Sequence, residues 1–119
     1  MATILVLDDE TPLRTLLRRY LESIGHTIMD GANGRDGLAL YRQHGADLVI
    51  TDIYMPEMSG LDFIIELTRE FLNVKVIAIS GVRSEQGLDH AKLLGARQTL
   101  WKPFTMESLR QAVDYELAH

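Results

Sequence analysis

Five short apolar runs punctuate this chain, and each is followed by residues at helical spacing. The runs are Thr3-Ile4-Leu5-Val6-Leu7, His26 to Met29, Asp47 to Thr51, Val74-Lys75-Val76-Ile77-Ala78-Ile79 and Gln98-Thr99-Leu100-Trp101. Short β-branched runs of this kind read as buried strands. The intervening stretches place apolar residues on single helical faces. The sets are Leu13, Leu16, Leu17, Tyr20, Leu21 and Ile24; Leu38 and Tyr41; Leu61, Ile64, Ile65, Thr68, Phe71 and Leu72; Leu88, Ala91 and Leu94; and Met106, Leu109, Val113 and Leu117. Strands alternating with helices imply a parallel sheet covered on both faces, a doubly wound α/β domain. Right-handed crossovers restrict its strand order to a few arrangements.

Local signals mark where the elements begin and end. Thr11-Pro12 predicts an N-cap followed by proline in the first helical turn, and Gly25 a C-terminal stop. Asn33-Gly34 reads as a turn before a helix over Arg35 to Gln43. Gly37 weakens that helix by roughly 1 kcal/mol relative to alanine. Gly95 closes the helix from Ser84 to Leu94, and Thr105 can cap the last helix.

With 119 residues the chain suits one domain over 1–119, with no internal linker and no low-complexity tract. A net charge of −5 offers no basic stripe for direct nucleic-acid binding. The absence of cysteine excludes disulfides and thiolate chemistry. No apolar run approaches the roughly 20 residues that span a bilayer, and the first residues lack a signal peptide's pattern. A cytoplasmic location with no membrane insertion is the expectation.

Four of the expected strands end in chemically capable residues: Asp8 and Asp9, Asp52, Ser80, and Lys102. A parallel sheet brings all its carboxyl ends to one edge, where open α/β sheets hold their ligands. Three carboxylates there repel one another, by roughly 4 kcal/mol per pair at about 4 Å and an effective dielectric near 20. Protonation of one acid or a bound cation relieves this. All-oxygen donors favour a hard ion, Mg²⁺ foremost. Three carboxylates, one divalent ion and Lys102 then sum to zero charge. Such a pocket, with a hydroxyl and a lysine at its rim, suits phosphoryl transfer. Each residue alone has a plainer reading, such as a helix cap at Asp8, a turn at Ser80-Gly81 or a surface lysine at 102. Their coincidence on one edge carries the argument.

The motifs Leu5-Val6-Leu7-Asp8-Asp9-Glu10, Thr51-Asp52-Ile53-Tyr54-Met55-Pro56 with Gly60, Ile79-Ser80-Gly81 and Lys102-Pro103-Phe104 span the chain. Together they resemble the response-regulator receiver domains of two-component signalling. The resemblance implies a flavodoxin-like five-stranded sheet in the order 2-1-3-4-5 with five helices. It implies that Asp52 is the phosphoacceptor for a sensor histidine kinase or a histidine phosphotransfer protein. It implies Mg²⁺ or Mn²⁺ held directly by Asp9, Asp52 and the Tyr54 carbonyl, with Asp8 acting through water. Ser80 and Lys102 would bind the phosphoryl oxygens, and the Lys102–Pro103 bond would be cis. Such a domain is regulatory rather than an enzyme, though it assists its own phosphorylation and dephosphorylation. Its fourth-helix, fifth-strand and fifth-helix face would present the change to a downstream protein.

Two departures from the family pattern stand out. Thr99 occupies the switch position that relatives fill with an aromatic, three residues before the active lysine, while Trp101 directly precedes Lys102 and reads as a packed strand residue. The hydrolysis-tuning positions are Tyr54 and Val82, bulky or apolar, which predicts a long-lived phosphoryl group. Arg14, Arg18 and Arg19 lie off the apolar face of the first helix. They read as solvated charge or as a landing site for an acidic kinase surface. Asp8-Asp9-Glu10-Thr11 vaguely resembles the haloacid-dehalogenase signature, with Asp8 as nucleophile. That reading leaves Asp52 and Met55-Pro56 unexplained. A phosphorylation-independent receiver-like module is disfavoured because every acid, Ser80 and Lys102 are present. No G-x-G-x-x-G follows the first run, which disfavours a dinucleotide.

Overall fold

Ten elements alternate without exception in the computed structural model, which describes residues 1–81 and 85–119, apart from the side chains at 85 and 86. They are β1 (Thr3–Leu7), α1 (Thr11–Ser23), β2 (Thr27–Gly31), α2 (Gly34–His44), β3 (Leu48–Asp52), α3 (Gly60–Glu70), β4 (Val76–Ser80), α4 (Glu85–Leu94), β5 (Gln98–Trp101) and α5 (Met106–Ala118). All strands pair in parallel, in the order β2-β1-β3-β4-β5. The doubly wound α/β expectation and its strand order are therefore met.

The period-2 pattern of the strands divides the interior into two cores. Leu5, Leu7, Val49, Val76 and Ala78 face Leu38, Phe63, Ile64, Leu67, Leu88 and Ala91 of α2, α3 and α4. Ile4, Val6, Leu48, Ile50, Ile77 and Ile79 face Leu17, Leu21, Leu109, Ala112 and Val113 of α1 and α5. Residues of the central strands β1, β3 and β4 are almost wholly buried on both faces, which is why these runs read as continuous apolar stretches, whereas the edge strands β2 and β5 are partly exposed.

Several local expectations shift. The α3 stripe runs through Gly60, Phe63, Ile64 and Leu67, whereas Thr68 is exposed and Leu72 is 91% exposed. Both candidate stripes have the same i, i+3, i+4, i+7 spacing. Ser59 sets the choice by capping the helix at Asp62 N, and Phe63 fills the largest fully buried volume. Leu16, assigned inward, is 51% exposed. Thr11 is the first helical residue of α1 rather than its cap; Glu10 stands at that position and gives no side-chain capping bond. Asn33-Gly34 is a helix start rather than a free turn, since Asn33 Oδ1 accepts from Asp36 N at 2.8 Å. Gly37 is a packing requirement, because a Cβ there would lie 2.3 Å from Leu7 Cδ1. Thr105 caps α5 as expected, accepting from Ser108 N.

The carboxyl end of α5 is fastened at the edge of the sheet remote from the strand ends. Glu116 is 3% exposed and accepts from Gln98 Nε2 at 2.7 Å, with Arg97 3.7 Å from its other oxygen. Lys75 Nζ donates to the Glu116 carbonyl at 2.6 Å. This buried acid went unnoticed in the sequence, where it sits beside the expected inward residue Leu117.

Gly60 sets how closely α3 approaches β3. Its N–H donates to the Ile53 carbonyl at 3.0 Å, and a Cβ would stand 1.9 Å from the Asp52 carbonyl oxygen. The obstacle is backbone and cannot yield as a side chain would. Gly60→Ala is expected to lower stability by about 3 kcal/mol, the upper range for overpacking. Urea unfolding should show a lower midpoint at an unchanged slope.

A candidate phosphoacceptor crevice at the carboxyl edge of the sheet

Register brings the chemistry together. Leu7 pairs with Thr51, Asp52 with Ile79, and Ser80 with Trp101, so Asp8, Asp52, Ser80 and Lys102 share one edge. Backbone bonds extend the ladder past the strands, from Ile53 N to Ile79 O at 3.1 Å and from Lys102 N to Ser80 O at 2.8 Å. Asp8 and Ser80 are fully buried and Asp52 is 5% exposed. The Lys102–Pro103 bond is cis.

Lys102 is the centre of the crevice. Its Nζ lies 2.8 Å from Asp52 Oδ2, 3.0 Å from Glu10 Oε1 and 3.0 Å from Asp8 Oδ2. Burial alone would push its pKa down. The hydrogen bonds to Asp52 and Glu10 and the nearby Asp8 charge outweigh that and hold it well above the ordinary lysine value.

Asp8 is in the opposite position. Its Oδ1 accepts from Glu10 N at 2.8 Å, but its Oδ2 has no hydrogen-bond partner, because the approach of Lys102 lacks the geometry of one. Burial therefore pushes the Asp8 carboxyl above its usual range, against the opposing pull of the Glu10 N–H and Lys102. The remaining Asp52 oxygen, Oδ1, accepts from Tyr54 N at 3.2 Å.

Oxygens of Asp8, Glu10 and Asp52 all lie within 4.8 Å of one another. At that separation two carboxylates repel by roughly 3 kcal/mol at an effective dielectric near 20. One lysine leaves the trio with an excess of two negative charges. An orphaned buried oxygen and an all-oxygen donor set fit a hard divalent cation such as Mg²⁺.

The trio differs from the expected one in one member: Asp9 and Glu10 are both exposed, but Glu10, not Asp9, brings its carboxylate to Asp8 and Asp52. The chain bends at Asp9, and the bond from Glu10 N to Asp8 Oδ1 closes a turn that brings Asp8 and Glu10 together. The acidic run itself was the available signal. Tyr54, 44% exposed, flanks Asp52, and Thr99 is half-buried on β5 opposite Ala78. Trp101 packs at the edge of the α2–α4 core. Val82 lies outside the described residues.

Two of the three α1 arginines are engaged. Arg14 donates to the Asp8 carbonyl at 2.6 Å, and Arg18 pairs with Asp30 at 2.8 Å. Next to the crevice a groove of about 420 Å³ runs between α1 and the start of α5. It is lined by Leu13, Leu16, Phe104 and Met106, with Glu10 and Lys102 at its inner end.

Comparison with known proteins agrees with this geometry. The response regulator receiver domain family matches residues 4–114. PilH of Pseudomonas aeruginosa is 36% identical over 99% of both chains. A receiver domain structure from Clostridium thermocellum superposes with a TM-score of 0.93 at 29% identity, covering 99% of this chain and 95% of that one. CheY in a CheX–CheY–BeF₃–Mg²⁺ complex from Borrelia burgdorferi superposes at 0.88 with 28% identity, covering 95% and 87%. The chain spans about half the length of several longer curated relatives. It belongs to the response regulator receiver domain family, the regulatory, phosphoaccepting domains of two-component signalling.

The strained charge on Asp8 has a measurable consequence. Its raised pKa means that the ionised form is worth less in the folded chain than in the unfolded one. That penalty is absent below the unfolded value near 3.8 and complete above the folded one. Asp8→Asn keeps the bond to Glu10 N and removes the charge. Without divalent ions at pH 7 it is expected to raise the melting temperature by about 3–6 °C, on the order of 1 kcal/mol. The gain should shrink as pH falls toward 4, and calorimetry in a chelating buffer reads both effects.

Proposed function

We propose that Asp52 accepts a phosphoryl group from a sensor histidine kinase or a histidine phosphotransfer protein, in a reaction that requires Mg²⁺ or Mn²⁺. The observation that carries this reading is the 2.8 Å contact between Lys102 Nζ and Asp52 Oδ2, beside a buried Asp8 oxygen that has no hydrogen bond. An Asp52 oxygen attacks the phosphorus of the phosphohistidine. The phosphorus–nitrogen bond breaks with its electron pair going to the imidazole, which then takes up a proton. Lys102 turns from the carboxylate to a phosphoryl oxygen, and the Ser80 hydroxyl donates to another. A bound divalent ion would supply neutralisation of the phosphoryl charge. Asp8, Asp9, Asp52 and the Tyr54 carbonyl are its proposed holders, with Glu10 added by its place in the acidic trio.

The phosphodonor approaches over the Leu13–Leu16–Phe104–Met106 groove, which opens beside Lys102. Arg14 and Arg18 act within the chain, so apolar contact rather than an arginine cluster carries docking. The unit is a single receiver, residues 1–119, working in the cytoplasm; among the described residues no helix is long and apolar enough to cross a membrane.

Phosphorylation takes the acid from −1 to about −2. The residues that follow Asp52 lie directly against α4. A Cβ at Gly87 would stand 2.7 Å from Ile53 Cδ1 and 3.0 Å from the Tyr54 hydroxyl oxygen. This contact offers a route from Asp52 to the α4–β5–α5 face that needs no aromatic at Thr99. The population of that face then shifts, and a downstream protein target reads it.

Two outcomes test the reading. With Mg²⁺ and a small-molecule phosphodonor, wild type should acquire an acid-stable, alkali-labile phosphoryl group that maps to Asp52, and Asp52→Asn should acquire none. Label on Asp8 would instead favour the haloacid-dehalogenase chemistry. Tyr54 also shields the acyl phosphate from water, so Tyr54→Asn is expected to shorten its lifetime about tenfold, or 1.4 kcal/mol in the barrier. Loss of label within seconds in wild type, unchanged by Tyr54→Asn or Val82→Glu, would contradict the shielding role.

A further inference from the structure

The loop from Ile53 to Ser59 joins the phosphoacceptor to α3, and its hold on the rest of the molecule is specific. Asn33, 8% exposed, uses both ends of its amide. Its Oδ1 caps α2 through Asp36 N at 2.8 Å, while its Nδ2 donates to Glu57 Oε2 at 3.0 Å and, more weakly, to Asp36 Oδ2 at 3.3 Å. The next residue extends the clamp, with Gly34 N donating to the Met58 carbonyl at 2.9 Å. A Cβ at Gly34 would lie 2.8 Å from that oxygen, so the approach depends on glycine. Glu57 itself is held at φ 66°, a left-handed conformation that a residue with a Cβ rarely adopts. Met58 N donates to the Pro56 carbonyl at 2.8 Å across Glu57 and closes this tight turn, and the Asn33 amide ties the turn to α2.

We infer that Asn33 is a positioning residue for metal binding: its side-chain amide latches Glu57 and so fixes the loop after Asp52, which carries the Tyr54 carbonyl proposed above as a metal holder. The inference rests on the proposed metal-dependent phosphorylation and deepens it. Neither Asn33 nor Glu57 belongs to the acidic trio. The amide group is essential because it donates to a carboxylate while its oxygen serves the helix. Aspartate caps a helix as well as asparagine does, but it offers Glu57 a second carboxylate in place of a donor.

That chemistry gives a test in which long-range charge and latching predict opposite signs. Asn33→Asp adds a negative charge, which by field alone would strengthen Mg²⁺ binding. The latch predicts the reverse, an Mg²⁺ dissociation constant about tenfold higher. The readout is the Mg²⁺-dependent rise in melting temperature, with the melting temperature in chelator as the measure of the fold itself. Asn33→Asp combined with Glu57→Gln restores a donor–acceptor pair with the polarity reversed and should return the dissociation constant to within about twofold of wild type. Should Asn33→Asp fail to melt cooperatively, Glu57→Ala breaks the same bond from an exposed position. It is expected to weaken Mg²⁺ several-fold, while Glu57→Gln, which keeps an acceptor, leaves it unchanged. Equal Mg²⁺ affinity in wild type and Asn33→Asp, or no rescue by Glu57→Gln, overturns the latch while leaving metal binding intact. A wild-type protein whose melting temperature ignores Mg²⁺ overturns the metal-dependent reading, and the latch's purpose with it.

Discussion

One lysine against three carboxylates is the constraint on which this domain is organised. A lysine with a single acid would form an ordinary ion pair at a sheet edge. Here Lys102 meets Asp8, Glu10 and Asp52 together, and the buried Asp8 Oδ2 has that shared lysine charge near it but no hydrogen bond of its own. The edge is therefore charged in a way the chain cannot resolve alone. A divalent ion, for which the acidic trio has the donors, would complete it. The sheet makes this tolerable because Asp8 and Asp52 sit at the ends of central strands locked by parallel pairing on both sides.

Backbone proximity does much of the remaining positioning. At Gly60, Gly37, Gly34 and Gly87 the chain passes so close to β3, Leu7, Met58 and Tyr54 respectively that a methyl group would overlap a neighbour. Three of these contacts surround the segment that follows Asp52. The loop after Asp52 is thus gripped by α2, α3 and α4 through surfaces that carry no side chain on one side. Close packing of this kind transmits displacement because it has no slack to absorb it.

The architecture was legible in the sequence wherever burial on both faces left a continuous apolar run, as in β1, β3 and β4. The acid, hydroxyl and lysine were legible for a related reason, since each sits where such a run stops. What escaped were features defined by partners distant in sequence. The α3 stripe was placed one residue off because two helical faces carried equally good spacing, and only the Ser59 cap and the room for Phe63 distinguish them. Glu10 looked interchangeable with its acidic neighbours until the turn after β1 pointed Asp8 and Glu10 the same way. Asn33 looked like half of a turn dipeptide. Its second role depends on Glu57, 24 residues away. Glu116 was hidden because a charged residue on an amphipathic helix is ordinarily solvated, and its burial requires the Gln98 amide to meet it.

The anchorage of Glu116 also fixes the point about which any tilt of α5 would turn. Its carboxyl end is tied to Gln98, Arg97 and Lys75 at the edge of the sheet remote from the crevice, while its amino end adjoins Phe104 and the groove beside Lys102. A helix of 13 residues is roughly 20 Å long at 1.5 Å per residue. Pivoting about the fixed end, a tilt of only about 5° displaces the free end by roughly 1.7 Å over that length. The far anchor thus sets the gain: small rotations that leave the Glu116 bonds intact become displacements on the scale of an atom where α5 begins.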